Sequence, residues 1–136
     1  MPTVHVHLGP RSYDIEIGSG NLSAAVKFCD AQQEDAHTVV ITDTNVAQHY
    51  VDPVIAALEY EGCEVAALEV EAGEQSKSPE IAVELWEELL DAGADRKTVV
   101  VALGGGVVGD LAGFVAATFA RGLRFVQIPT TLLAQV

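Results

Sequence analysis

Val99-Val100-Val101-Ala102-Leu103-Gly104-Gly105-Gly106-Val107-Val108-Gly109-Asp110 reads as a buried strand, a glycine turn and the start of a helix. Three adjacent residues without Cβ atoms let an anion approach the backbone closely. The helix that follows aims its unpaired N–H groups, and the positive end of its dipole, at that anion. On such a scaffold the expected anion is the pyrophosphate of a dinucleotide. Gly104, Gly106 and Gly109 fit the G-x-G-x-x-G spacing. The usual companion, an acid about 20 positions later that holds the ribose, is missing, because no Asp or Glu follows Asp110. Any ribose contact must therefore come from elsewhere in the chain. The plain alternative is a glycine turn that only lets a helix pack tightly on a sheet.

Upstream, strands and helices alternate. Val4, Val6 and Leu8 interleave with His5 and His7, and Tyr13, Ile15 and Ile17 with Asp14 and Glu16. This period of two predicts a strand pair joined near Gly9-Pro10. Asn21 suits the cap of a helix reaching about Asp30. The spacing then predicts a strand over His37–Thr42 and a helix over Thr44–Tyr60 that Pro53 interrupts or restarts. A strand follows over Cys63–Val70. Ser78 and Pro79 suit N-cap and N1 of a helix with Ile81, Leu85, Trp86 and Leu89 on its apolar side. Beyond the opening strand–turn, a helix over Val107–Ala120, a strand over Leu123–Ile128 and a new helix from Thr130-Thr131 complete the pattern. The fold class is α/β: a Rossmann-like, mostly parallel sheet with helices on both faces, preceded by a hairpin-like strand pair. Ligands in such sheets bind beyond the carboxyl ends of the strands. Asp43 with Asn45, Glu74 with Lys77, Gly104–Asp110 and Thr130-Thr131 all fall at such ends.

The 136 residues suffice for one domain with a core. Net charge is −13, which argues against nucleic acid and anionic membranes as partners. The charge is uneven: residues 1–95 hold 19 acidic and 3 basic side chains, while residues 96–136 hold Asp110 against Arg96, Lys97, Arg121 and Arg124. The basic third is also the glycine-turn third. The uncharged apolar stretch Leu111–Ala120 is too short to span a bilayer, and the N-terminus has no basic-then-apolar leader. Cys29 and Cys63 lie in no metal-type spacing and read as buried thiols of a reducing, cytoplasmic compartment. The sequence stops at Leu132-Leu133-Ala134-Gln135-Val136, inside an apolar helical pattern, which suggests the front part of a longer protein.

Gly73-Glu74-Gln75-Ser76-Lys77-Ser78, the run Gly104–Asp110, Arg121-Gly122 and Pro129-Thr130-Thr131-Leu132-Leu133-Ala134-Gln135-Val136, with Thr42–Val46 upstream, resemble 3-dehydroquinate synthase in order and spacing. The resemblance implies a sugar-phosphate substrate, 3-deoxy-D-arabino-heptulosonate 7-phosphate, converted to 3-dehydroquinate and phosphate in the shikimate pathway. It implies bound NAD that is transiently reduced and regenerated, a divalent metal (zinc or cobalt), and a homodimer. Residues 1–136 are then the N-terminal NAD-binding domain. The metal ligands and the catalytic groups belong to a region that this sequence does not contain. Asp43 and Asn45 are implied at the adenosine end of NAD, and Glu74 and Lys77 on the dinucleotide, with the Glu accepting from ribose hydroxyls. Gly105, Gly106 and Val107 present backbone to the pyrophosphate. Asp110 reaches toward the nicotinamide half, and Thr130 and Thr131 offer hydroxyls. Arg121 resembles an arginine that reaches the substrate phosphate in the partner subunit. Ser76 and Ala72 replace residue types common in the family.

Simpler roles stand beside these. Asp43 could only cap a helix, Asp110 could only complement a helix dipole, and Glu74 with Lys77 could form an exposed pair. Thr130 could be a cap and Arg121 a solvated charge. His5 and His7 share a strand face, which makes a two-ligand metal site conceivable. At the level of function, the alternatives are another sugar-phosphate cyclase, a metal-dependent alcohol or glycerol dehydrogenase of the same architecture, and a non-catalytic nucleotide-binding module.

Overall fold

The computed structural model describes residues 2–29 and 37–136. Strands β1 (Thr3–Val6) and β2 (Tyr13–Glu16) form a separate antiparallel pair, with Val4 opposite Ile15 and Val6 opposite Tyr13. The Lys27 ammonium, 3.1 Å from the Glu16 carboxylate, ties this pair to the segment that follows. That segment, Leu22–Phe28, is a 3₁₀ turn rather than the α-helix expected from Asn21. The expected end of that helix, Asp30, lies outside the described residues.

The main sheet holds β3 (His37–Asp43), β4 (Glu64–Val70), β5 (Val99–Gly104) and β6 (Arg124–Pro129) in the order β4-β3-β5-β6, all parallel. β5 is buried along its whole length and β3 along all but its end residues. This explains why β5 and the centre of β3, Val39-Val40-Ile41, read as continuous apolar runs rather than alternating ones. Helix α1 (Thr44–Tyr60) covers one face, where Val54 and Leu58 meet Val40, Val99, Val101 and Leu103. Helices α2 (Pro79–Asp91) and α3 (Gly106–Thr118) cover the other, where Leu85, Leu89, Val108, Leu111 and Val115 meet Val39, Ile41, Val100 and Ala102. Cys29 and Cys63 are free and buried on the α1 side. Burial pushes the Cys29 thiol up to about 12, with nearby Cys63 adding to the rise.

α1 runs through Pro53 without a break. Pro53 has no N–H to donate, yet half-buried Val46 and Val51 before it, and Val54 and Leu58 after it, pack on the same sheet face. That packing carries the helix across the lost hydrogen bond. α3 ends at Thr118, short of the expected Ala120, because Ala120, Arg121 and Gly122 take positive φ values of 47°, 70° and 104°. The Leu123 amide then donates to the Ala116 carbonyl at 2.8 Å and closes the turn.

The chain moves from β3 outward to β4, passes back over β3 to reach β5, and continues to β6. α1 and α3 thus leave neighbouring strands toward opposite faces. A crevice opens between such helices at the strand ends, and it is the place where open α/β sheets take ligands. Thr42 pairs with Leu103, so Asp43 and Gly104 emerge there side by side.

Candidate functional site

The three α-helices begin differently. The Asp43 carboxylate accepts from the amides of Asn45 and Val46, both at 2.9 Å, and caps α1. The Ser78 hydroxyl accepts from the Ile81 amide and caps α2. α3 starts after Gly105 and has no side-chain cap. Its first-turn amides are left for solvent or a ligand. Beside them, the Thr130 hydroxyl oxygen is shielded from solvent and has no hydrogen-bond partner among the described residues. The Thr130 amide donates to the Gly104 carbonyl at 2.9 Å, which pins the end of β6 to the glycine turn.

The glycines do different work. A Cβ at Gly104 would lie 2.7 Å from the Cβ of Val108, so only glycine lets α3 sit this close to β5. A Cβ at Gly105 would approach the Thr131 methyl to 3.2 Å, while one at Gly106 would meet nothing within 4 Å. Gly104 therefore serves packing, and Gly106 faces open space at the head of the helix.

The segment after β4 closes over this point. The Ala72 amide donates to the Thr44 hydroxyl at 3.0 Å, and the buried Ser76 hydroxyl donates to the Glu71 carbonyl. A 3₁₀ turn over Glu74–Ser76 presents Lys77. Its ammonium sits 2.8 Å from the Asp110 carboxylate and 3.6 Å from that of Glu74. The hydrogen bond and charge of Asp110, then the charge of Glu74, hold the Lys77 ammonium above its ordinary range. Glu74, Lys77 and Asp110 are thus brought together across two elements.

Other expected residues are arranged less tightly. Asn45 is exposed on the first turn of α1, next to Asp43. The Thr131 hydroxyl accepts from the Ala134 amide at 3.2 Å, just ahead of a 3₁₀ turn over Leu133–Gln135, where a longer helix was expected to start at Thr130. Arg121 lies exposed beyond the far end of α3, about 20 Å along its axis from Gly106 at 1.5 Å per residue. It shares no site with the cluster in the same chain. The His5 ring contacts the Asp14 carboxylate and packs edge-on against His7. Among the described residues no group of three His, Cys, Asp or Glu side chains could hold a metal ion. Gln127 is a cavity-lining residue that the motifs did not flag. It lines the cavity beside Gly109 and Asp110, and its signal was a polar side chain set between Val126 and Ile128 near the end of a strand.

The family model described as 3-dehydroquinate synthase N-terminal matches residues 67–136, the half of the chain that carries the cluster and the glycine turn. The chain belongs to the 3-dehydroquinate synthase family. It is 49% identical over 136 residues to the 3-dehydroquinate synthase of Desulforamulus reducens, covering all of this chain and 38% of that protein. It is 48% identical over 140 residues to the 3-dehydroquinate synthase of Rhizobium meliloti, covering all of this chain and 37% of that protein. The chain thus spans little more than a third of the length of those 3-dehydroquinate synthases. Among solved structures, 2-deoxy-scyllo-inosose synthase complexed with carbaglucose-6-phosphate, NAD+ and Co2+ superposes with a TM-score of 0.87 at 27% identity, over 98% of this chain and 36% of that one. A 2-epi-5-epi-valiolone synthase from Streptomyces hygroscopicus with NAD+ and Zn2+ bound gives 0.74 at 28% identity, over 93% and 35%. The TM-scores of 0.87 and 0.74 show that the chain shares its fold with the matched parts of these two neighbours.

Proposed function

We propose that residues 1–136 are the NAD-binding N-terminal domain of a 3-dehydroquinate synthase. The whole enzyme converts 3-deoxy-D-arabino-heptulosonate 7-phosphate into 3-dehydroquinate and phosphate in the shikimate pathway. The observation that carries this reading is the uncapped head of α3 at the sheet's crevice, beside the orphaned Thr130 hydroxyl, in a chain of this family. Both features suit an anionic ligand that brings its own hydrogen-bond partners.

The residues present fit a dinucleotide. The amides of Gly105, Gly106 and Val107 hold the pyrophosphate, and Lys77 supplies a nearby positive charge. Asp43 and Asn45 contact the adenosine end, and the Glu74 carboxylate accepts from ribose hydroxyls. Asp110 reaches toward the nicotinamide half, and Thr130 and Thr131 donate hydroxyl hydrogens. NAD supplies, when bound, a hydride acceptor that is restored within the same turnover, so net redox is zero. The zinc or cobalt of the whole enzyme takes its ligands from outside these residues. The solved neighbours with NAD+ and a divalent metal support both expectations by analogy. Arg121 contacts the substrate phosphate in the partner of a cytoplasmic homodimer. Its left-handed backbone, in a residue other than glycine, is the kind of local strain that accompanies functional positioning.

A different sugar-phosphate cyclase activity is favoured only by the superpositions on 2-deoxy-scyllo-inosose synthase and 2-epi-5-epi-valiolone synthase. Identity of 49% to a dehydroquinate synthase against 27% and 28% to those two enzymes favours the first reading. The test is an NMR titration of the chain with NAD. Shifts are expected first at the amides of Gly105–Asp110, then at Thr130 and Asn45. An unchanged spectrum at millimolar NAD would refute the reading. The chain by itself should release no phosphate from the heptulosonate phosphate, and turnover by these 136 residues would overturn the division of labour.

A further inference from the structure

β6 presents Phe125 and Gln127 in register with Val100 and Ala102 of β5, on the sheet face covered by α3. Phe125, Val100 and Ala102 belong to the apolar packing there. Gln127 itself is exposed, at the end of the outer strand of the sheet. Its surroundings are small. Ala102 is its neighbour in the sheet, and a Cβ on Gly109 would come to 3.8 Å from the carboxamide nitrogen. The result is a cavity of about 260 Å³ between the first turns of α3 and the end of β6.

Asp110 and Gln127 are the two polar side chains on its wall, and Pro129, Leu133 and Ala134 add apolar surface. Asp110 is engaged by Lys77 at 2.8 Å. The Gln127 carboxamide takes part in none of the side-chain hydrogen bonds among the described residues. It is the one side chain there that can donate and accept at once.

A dinucleotide lying across the strand ends has its adenosine end near Asp43 of β3 and its pyrophosphate at the glycine turn of β5. Its other half then lies over β6, above this cavity. The nicotinamide carboxamide is a planar donor and acceptor, the complement of a glutamine side chain. We infer that Gln127 recognises the nicotinamide carboxamide and makes the chain discriminate a dinucleotide that carries this group from one that lacks it. This rests on the dinucleotide reading above.

The test compares the affinities of the chain for NAD and for ADP-ribose, which lacks the ring. Two neutral hydrogen bonds correspond to NAD binding about tenfold more tightly than ADP-ribose. Gln127→Ala should bring NAD to the ADP-ribose level and leave ADP-ribose unchanged, and Gln127→Leu should do the same with the side-chain bulk kept. Nicotinic acid adenine dinucleotide, whose carboxylate faces Asp110, should bind the unmodified chain no better than ADP-ribose. Equal affinity of the unmodified chain for NAD and ADP-ribose overturns the inference and leaves the dinucleotide reading standing. So does a preference that survives both substitutions, or a loss that strikes both ligands alike. Failure of the unmodified chain to bind either ligand overturns the dinucleotide reading and this inference with it.

Discussion

Gly104 and Gly106 sit in one turn, yet a methyl group meets different surroundings at each. Gly104→Ala drives a Cβ into Val108 and should cost about 1–3 kcal/mol, read as a lower urea midpoint. Gly106→Ala meets open space, so it should leave the midpoint nearly unchanged while weakening NAD binding. Equal destabilisation by the two would contradict the separation of packing from binding. Cys29 gives a second test. Its thiol is raised to about 12 against an ordinary value of 9.0. The stability that this group contributes is therefore complete below pH 9 and falls as pH rises toward 12, because the unfolded chain loses its proton first. Cys29→Ala should flatten the decline in urea midpoint between pH 8 and about 10.5. The same slope in both proteins would show that the thiol ionises freely. At this scale the sequence showed which residues gather at strand ends, because motif spacing is a local property. It did not show that Lys77 pairs with Asp110, a contact across 33 positions of chain that only the folded sheet creates.

The starts of α1 and α2 were legible in the sequence, whereas the expected helices at Asn21 and Thr130 are 3₁₀ turns. Asp43 and Ser78 act within their own turns, so a short window of sequence reveals them. Asp43→Ala should lower stability by about 0.5–2 kcal/mol through the lost cap. A null effect on the urea midpoint would mean that the amides of Asn45 and Val46 are satisfied by water at no cost. Helix ends and interruptions were less legible, since tertiary packing decides them. Pro53 reads as a break, yet the buried Val54 and Leu58 hold the helix through it. Nothing local stops α3 before Gly122, yet its path turns left-handed at Ala120. Ala120→Gly relieves that conformation and should stabilise the chain by about 0.5–1 kcal/mol, seen as a higher melting temperature. A lower one would mean that the Ala120 methyl makes packing contacts worth more than the relief.

For the molecule as a whole, strand–helix alternation revealed a parallel sheet with covered faces. The order β4-β3-β5-β6 was not legible, because it depends on which apolar faces meet rather than on any single segment. Large apolar side chains remain exposed: Val83, Leu90 and Phe114 on α2 and α3, and Leu132, Leu133 and Val136 at the end of the sequence. Such surface favours association. Sedimentation velocity should show species heavier than 14.3 kDa that grow with concentration. A single monomeric boundary at several hundred micromolar would argue against it. The opposed departure of α1 and α3 from adjacent strands has one more consequence. A molecule resting across the ends of β3 and β5 touches the heads of two helices that share no face of the sheet. Its occupancy should therefore slow hydrogen–deuterium exchange at both heads together, linking two layers of the domain that otherwise communicate only through the strands between them.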